Sequence, residues 1–202
     1  MSLDIKFEYE FKGYGWSKAY LKIGDAEVVF PRISWSCLPI TDLLQGLLGI
    51  LEEWAIIANY GKDVEITNDE SVFTWEDEPG GYEWELERYN ENQIRVIIRS
   101  LYHNENNEEN FKEIILDKTV DFKIFLMVIL KPIDTLVKEY GLLGCGANWG
   151  ADTETHLQFP LSHFLELKHY LLYGKILCIR KKGTTSNWSL KEELELLNAE
   201  IT

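Results

Sequence analysis

The 202-residue sequence predicts a single α+β domain, residues 1–202, with helices packed mainly on one face of an antiparallel β-sheet. Three observations predict this class. Short segments alternate apolar and polar residues, turns containing Gly or Pro join them, and segments with helical spacing come in separate blocks. Hydrophobic residues make up 46% of the chain, which is enough for a sizeable core.

The N-terminal part of the chain predicts three strands. Apolar and charged residues alternate over 5–11, a period of two that buries one face. Residues 16–23 and 26–35 are two further candidate strands, joined by a Gly-Asp turn at 24–25. Pro31 has no amide hydrogen, so we expect the third strand to lie at a sheet edge or to be bulged there.

Further strands are predicted in the middle of the chain and one near its C-terminus. These segments are 64–67, 71–76, 82–89, 93–102, 111–116 and 176–180. Pro79-Gly80-Gly81 is typical of a hairpin turn between the second and third of them.

Four helices are predicted, at about 40–59, 121–140, 160–173 and 189–200. Thr41 is the expected N-cap of the first. Gly46 and Gly49 each lower the stability of this helix by about 1 kcal/mol relative to alanine. Their placement suggests that the helix packs closely against a sheet. For the last helix, Ser189 and Glu192 have the spacing of a capping box.

The second helix has two open points. Pro132 is expected to kink or split it, because proline removes a helix hydrogen bond. Residues 122–130 are apolar enough that a buried strand is the competing interpretation. Gly141 is predicted to end the helix, and 141–159 is predicted to be a glycine-rich loop.

The charge of the chain is large and uneven. Formal net charge is −14, and residues 63–113 hold 15 acidic against four basic residues. This disfavours a nucleic acid or an anionic membrane as partner, since both are usually bound through Lys and Arg. The acidic middle can face a basic protein partner, or it can attract within the fold the basic segment between Glu166 and Glu192, and composition does not decide between the two.

Targeting and redox features predict a cytoplasmic protein. The N-terminus has no basic stretch followed by an apolar block, and no apolar run is long enough to span a bilayer. Three cysteines, an odd number with no close pair, favour reduced and buried thiols over a disulfide framework.

The most distinctive segment is the acidic hairpin around Pro79-Gly80-Gly81. We take as a candidate interaction surface its aromatic and acidic residues Trp75, Glu76, Asp77, Glu78, Tyr82, Glu83 and Glu85. Crowded carboxylates can form a cation site or an acid/base pair, but they are also typical of the solvated face of an amphipathic hairpin. Their spacing is not that of a calcium loop.

The motif Trp75-x-x-Glu78-Pro79-Gly80-x-Tyr82, following a leucine-rich helix, carries a resemblance. It is similar to a family of uncharacterised bacterial proteins that have a helix followed by a Trp…Glu-Pro-Gly hairpin. Phe159-Pro160 at the start of a later helix fits the same family. The family has no established activity, so the resemblance implies no catalytic residue.

A second candidate site is a pocket at the 141–159 loop, formed by Trp149, Asp152, Glu154 and His156. A metal site is not expected at His163-x-x-Glu-x-x-His169, because residues six apart diverge by about 120° around a helix. We expect no cofactor. Catalytic motifs are absent from the sequence, and triads assemble in space, so enzymatic activity stays open.

Two functions follow as hypotheses. The first is a non-enzymatic bacterial protein that acts through protein–protein interaction, for example by masking a basic toxin as immunity proteins do. The second is a small-molecule-binding protein or an enzyme with its pocket near 141–159. A homodimer through an apolar strand edge is a further option.

Overall fold

The structure is a computed structural model that describes residues 4–34, 36–51, 70–90, 92–103, 110–149, 159–175 and 188–201. Within these ranges the chain forms seven strands and four helices. The strands are β1 (Ile5–Gly13), β2 (Trp16–Ile23), β3 (Ala26–Ile33), β4 (Glu70–Asp77), β5 (Gly80–Arg88), β6 (Gln93–His103) and β7 (Asn110–Asp121). The helices are α1 (Pro39–Gly49), α2 (Phe122–Trp149), α3 (Leu161–Tyr173) and α4 (Leu190–Asn198).

The predicted α+β class is confirmed, with the strands divided between two antiparallel sheets. Strands β1 to β3 form the first sheet and β4 to β7 the second, each in chain order. Every neighbouring pair is therefore a hairpin, which is the arrangement that short turns between alternating segments predict. The predicted strands 64–67 and 176–180 lie outside the described residues.

The predicted position of Pro31 is confirmed. Strand β3 is an edge of the first sheet, and its pairing with β2 is interrupted at the proline. Ser17 pairs with Ile33 and Ala19 with Phe30, so one residue of β2 faces two of β3. Because of the bulge and the edge position, the missing amide of Pro31 does not cost the sheet a ladder hydrogen bond.

Aromatic side chains join the two sheets. Phe30 of β3 lies with its ring centroid 5.0 Å from Trp75, 5.4 Å from Trp84 and 4.8 Å from Tyr82. Both tryptophans are fully buried, and the Trp75 Nε1 donates a hydrogen bond to the Pro39 carbonyl at the start of α1. One core therefore includes both sheets and the first helix.

Helix α1 begins at Pro39, with Leu38 in the N-cap position, so the prediction of Thr41 as N-cap is wrong. Proline is favoured in a first helical turn because its missing amide would have no partner there. The predicted packing of Gly46 is confirmed, since a Cβ on it would lie 2.7 Å from the Phe73 ring. The predicted extension over 52–59 lies outside the described residues.

Residues 122–130 are helical, so the alternative of a strand is wrong. The backbone stays helical through Pro132 and is interrupted instead at Gly141, with φ 68° and ψ 171°. After this break the chain is again helical to Trp149, and the prediction of a loop beginning at Gly141 is wrong for 142–149. Gly141 breaks the helix because glycine takes a positive φ without steric cost.

Helix α4 begins with the predicted capping box. The Ser189 hydroxyl accepts from the Glu192 amide, and the Glu192 carboxylate accepts from the Ser189 amide. The C-terminal end of α4 is held by Lys168 of α3, whose Nζ lies 2.8 Å from the Leu197 carbonyl oxygen.

Candidate functional site

The second sheet has two faces of different chemistry. Pairing in register places Trp75, Trp84 and Ile98 toward the core, and the alternate residues on what we call the outer face. The carboxylates of the outer face are Glu70, Glu76, Glu83, Glu85, Glu87, Asp117 and Asp121. Its cations are Arg95, Arg99 and Lys112. Seven acidic against three basic side chains give this face a formal charge of −4.

Arg99 fixes the acidic side chains at the centre of the outer face. Its Nη1 lies 2.5 Å from Glu85 Oε2 and 3.2 Å from Glu83 Oε1. Lys112 Nζ lies 2.5 Å from the other Glu83 oxygen. The hydrogen bond to Glu85 raises the pKa of Arg99. Both glutamates are therefore held in fixed positions, with side chains 14% and 16% exposed.

A second ionic group lies toward the other end of the outer face. Arg95 binds Asp117 through two hydrogen bonds, Nε to Oδ1 at 2.8 Å and Nη2 to Oδ2 at 2.7 Å. Its Nη1 also lies 3.4 Å from Glu87 Oε2. The hydrogen bond from Arg95 lowers the pKa of Asp117, so this carboxyl stays ionised at neutral pH.

The turn end of the hairpin is tied to the first sheet. Arg32 of β3 donates from Nε to Asp77 Oδ1 at 3.2 Å and from Nη2 to the Glu78 carbonyl at 2.6 Å. Ser36 Oγ donates to the Glu76 carboxylate, and Ser34 Oγ lies 3.4 Å from Glu78 Oε1. Glu76 and Glu78 remain exposed.

The seven residues of the predicted interaction surface do not all share one face. Trp75 is fully buried, and Tyr82 packs against Phe30 on the core side of the sheet. Glu83 and Glu85 lie on the outer face, as strand alternation predicts. The cations that pair with them were missed, because Arg99 and Lys112 come from β6 and β7 and only the strand register brings them there.

Apolar residues accompany the charges on the outer face. Val72 of β4 is 53% exposed and Ile114 of β7 is 54% exposed. Ile97, between them on β6, is only 2% exposed although it lies outside the main core. Its cross-strand neighbours are Glu85 and Asp117. The face thus combines fixed carboxylates with apolar surface.

Most of the predicted pocket lies outside the described residues. Asp152, Glu154 and His156 lie outside the described residues, and for Trp149 only the backbone at the end of α2 is described. His169 Nδ1 lies 2.6 Å from the Lys175 carbonyl oxygen. In the part of the chain that the structure describes, no three His, Cys, Asp or Glu side chains are grouped to hold a metal ion.

The described cysteines are poor nucleophiles. Burial raises the pKa of Cys37 and of Cys145 to about 11 in each case. Both thiols are therefore protonated at neutral pH. Neither is in a disulfide, and the prediction of a buried thiol is confirmed for Cys145, whereas Cys37 is only half-buried. Cys178 lies outside the described residues.

No protein-family model matches the chain, and the comparisons with curated proteins and with solved structures found no match. The resemblance carried by the Trp…Glu-Pro-Gly hairpin therefore stays a prediction. None of the described helices is both long enough and apolar enough to cross a membrane.

Proposed function

We propose that the protein acts by binding a basic protein through the outer face of its second sheet. The observation that carries this proposal is the composition of that face. Carboxylates outnumber cations by seven to three, and the exposed Val72 and Ile114 lie on the same face. Interfaces combine apolar contact with complementary charge, and this face offers both.

The rigidity of the acidic side chains supports binding. Glu83 and Glu85 are already ordered by Arg99, so little side-chain entropy is lost when a partner approaches. Glu70 and Glu76 at the β4 side are exposed and add negative charge to this face. A basic partner would be attracted at long range by the net charge of −14 and oriented by these residues.

An immunity-like role is the particular version that we favour. A protein that masks a basic, nucleic-acid-cleaving toxin must associate quickly, and acidic surfaces increase association rates with basic partners. The surplus of carboxylates on the outer face is the feature that such a partner would recognise. The proposal includes that the protein itself is bacterial and cytoplasmic.

The test uses the full chain with a photo-cross-linking residue in place of Val72. The matched control carries the same residue in place of Val29, which is 58% exposed on the first sheet. Cross-linked proteins are identified by mass spectrometry, purified and titrated against the protein at low and high salt. We expect a basic partner that cross-links at position 72 and binds more weakly as salt rises.

Charge reversal then tests the face itself. The double variant Glu70→Lys, Glu76→Lys should weaken binding by at least about tenfold. The control Glu8→Lys, Glu27→Lys changes the net charge of the chain by the same amount but alters the first sheet. Equal weakening by both pairs, or equal cross-linking at positions 72 and 29, would contradict the proposal.

The alternative function is a small-molecule binder or enzyme with Trp149, Asp152, Glu154 and His156 around its pocket. It remains a separate hypothesis, because these side chains lie outside the described residues. If the outer face is the binding surface, we expect the triple variant Asp152→Ala, Glu154→Ala, His156→Ala to bind the basic partner as the original protein does.

A further inference from the structure

The four edge strands of the two sheets differ in how they are protected from pairing. Pro31 and a bulge interrupt β3, while β7 has a bulge opposite Ile98–Arg99 and carries Lys112 and Lys118. Strand β1 has Lys6 and is packed by α2. These are the devices by which natural sheets avoid adding a further strand.

Strand β4 lacks the proline, the lysine and the bulge, although α1 packs on its core-facing side. Its sequence contains no proline and no lysine, and its pairing with β5 has no register shift. At one end of the β4 edge, both backbone groups of Glu76 have partners from the segment before α1. The Glu76 carbonyl accepts a hydrogen bond from the Ser34 amide, and the Glu76 amide lies 3.4 Å from Cys37 Sγ. The loop before α1 therefore covers the edge at Glu76.

The direction of the Glu76 backbone amide and carbonyl shows where the other backbone groups along β4 point. In an antiparallel pair, alternate residues direct their amide and carbonyl toward the neighbour or away from it. Since Glu76 directs both groups away from β5, Thr74, Val72 and Glu70 do the same. Among the described residues, the amides and carbonyls of Val72 and Thr74 have no backbone partner.

The side chains beside this open edge have a definite pattern. Glu70, Val72, Thr74 and Glu76 share the outer face, so an apolar residue and a threonine lie between two carboxylates. A strand added here would place its alternate side chains on the same face, about 5 Å from those of β4. Lys or Arg at these positions can reach Glu70 and Glu76, including along the diagonal.

We propose that the open edge of β4 binds an extended segment of the basic partner by β-strand addition, with basic side chains at alternate positions of that segment. The inference rests on the proposed function and adds how the partner is recognised. Main-chain hydrogen bonds to Val72 and Thr74 supply affinity, and the carboxylates on either side select basic side chains.

The probe is a synthetic extended peptide of about seven residues with Arg at alternate positions and Thr or Val between them. Binding to the full chain is measured by fluorescence anisotropy, and amide hydrogen exchange is followed by NMR. We expect the Val72 and Thr74 amides to become protected in the complex. A peptide of the same composition that is N-methylated at the edge-facing positions should bind at least about tenfold more weakly.

The variant Thr74→Pro provides the matching change in the protein. It removes an amide that faces away from β5 and so leaves the β4–β5 ladder intact. Thr74→Val is the control, since it keeps the amide. Peptide binding should fall at least about tenfold in the first variant and stay near the original value in the second. The N-methylated peptide gives the same test if the proline variant fails to fold.

The outcomes separate this inference from the proposed function. If a basic partner binds and depends on Glu70 and Glu76, but Thr74→Pro binds it equally well, the edge proposal is overturned and the proposed function stands. If the basic partner is insensitive to charge reversal, the proposed function fails. If sedimentation shows a dimer that Thr74→Pro abolishes, the edge binds a second copy and the inference is overturned.

Discussion

Lys168 is a charged side chain with no exposed surface. Its Nζ lies 2.6 Å from Asp134 Oδ1 and 2.8 Å from the Leu197 carbonyl oxygen. Burial lowers its pKa, and the hydrogen bond to Asp134 opposes that shift. Asp134 also binds Lys138, at 2.8 Å through Oδ2. The pair is therefore unequal, because among the described residues Asp134 has two cationic partners and Lys168 has one anionic partner.

This inequality predicts unequal mutational effects. Asp134→Ala should lower the free energy of unfolding by about 3–5 kcal/mol, since it leaves a fully buried ammonium without its carboxylate. Lys168→Met removes the hydrogen bonds to Asp134 Oδ1 and to the Leu197 carbonyl. It should still cost less than Asp134→Ala, about 1–3 kcal/mol, because Asp134 keeps its ion pair with Lys138. Urea unfolding at neutral pH, followed by circular dichroism, measures both.

A third variant controls for the general loss of a cation from the network. Lys138 is partly exposed and pairs with Asp134 and Glu200, so Lys138→Met should change the unfolding free energy by no more than about 1 kcal/mol. A cost for Lys168→Met equal to or above that for Asp134→Ala would show that the ion pair is not organised as described.

At the scale of elements, α1 and β4 meet at a glycine. A Cβ at Gly46 would lie 2.7 Å from Phe73 Cε1 and 3.0 Å from Cδ1, closer than normal packing allows. The Phe73 ring has little freedom to move, because it stacks on Trp84 at 5.7 Å between centroids. At Gly49 the nearest atom, Ser71 Oγ, would be 3.7 Å away, an ordinary contact.

We therefore expect opposite effects from two identical substitutions. Gly46→Ala should lower the unfolding free energy by about 1–3 kcal/mol, because overpacking outweighs the gain in helix propensity. Gly49→Ala should be neutral or raise it by up to about 1 kcal/mol. Thermal and urea unfolding of the two variants measure this difference. Stabilisation by Gly46→Ala would mean that α1 does not pack closely on β4.

Local patterns predicted the elements well where one physical effect dominated. Alternation identified the strands, and Ser189 with Glu192 identified the start of α4, since both depend on residues close in sequence. The region after Gly141 was mispredicted because glycine has both a low helix propensity and a freedom to break a helix locally. The break occurred at Gly141, but the helix resumed, and Cys145 of the resumed helix is buried in the core.

At the scale of the whole molecule, pairing between strands far apart in sequence determines two features that local patterns do not predict: the ion pairs of the outer face and the division into two sheets. The hairpin carboxylates were predictable from alternation over 82–87. Their neutralisation was not, because Arg99 lies 16 residues from Glu83 and Lys112 lies 29 residues from it. Register between three strands brings these groups together. The division into two sheets is likewise a tertiary outcome, and the Phe30 ring is one of the places where they meet.

The contacts of Phe30 predict that the two sheets unfold together. Phe30→Ala removes a fully buried ring from the first sheet that contacts Trp75, Trp84 and Tyr82 of the second. We expect a loss of about 3–5 kcal/mol in the free energy of unfolding. Because one core includes both sheets, amide hydrogen exchange should accelerate to a similar extent in β2 and in β6.

The neighbouring residue supplies the control for this prediction. Val29 lies on the opposite side of β3 and is 58% exposed, so Val29→Ala should change stability by no more than about 0.5 kcal/mol. If Phe30→Ala accelerated exchange in β2 while β6 kept its protection, the sheets would be separate cooperative units. The tie between Arg32 and the hairpin turn would then be a surface contact, and the outer face could be studied on the second sheet alone.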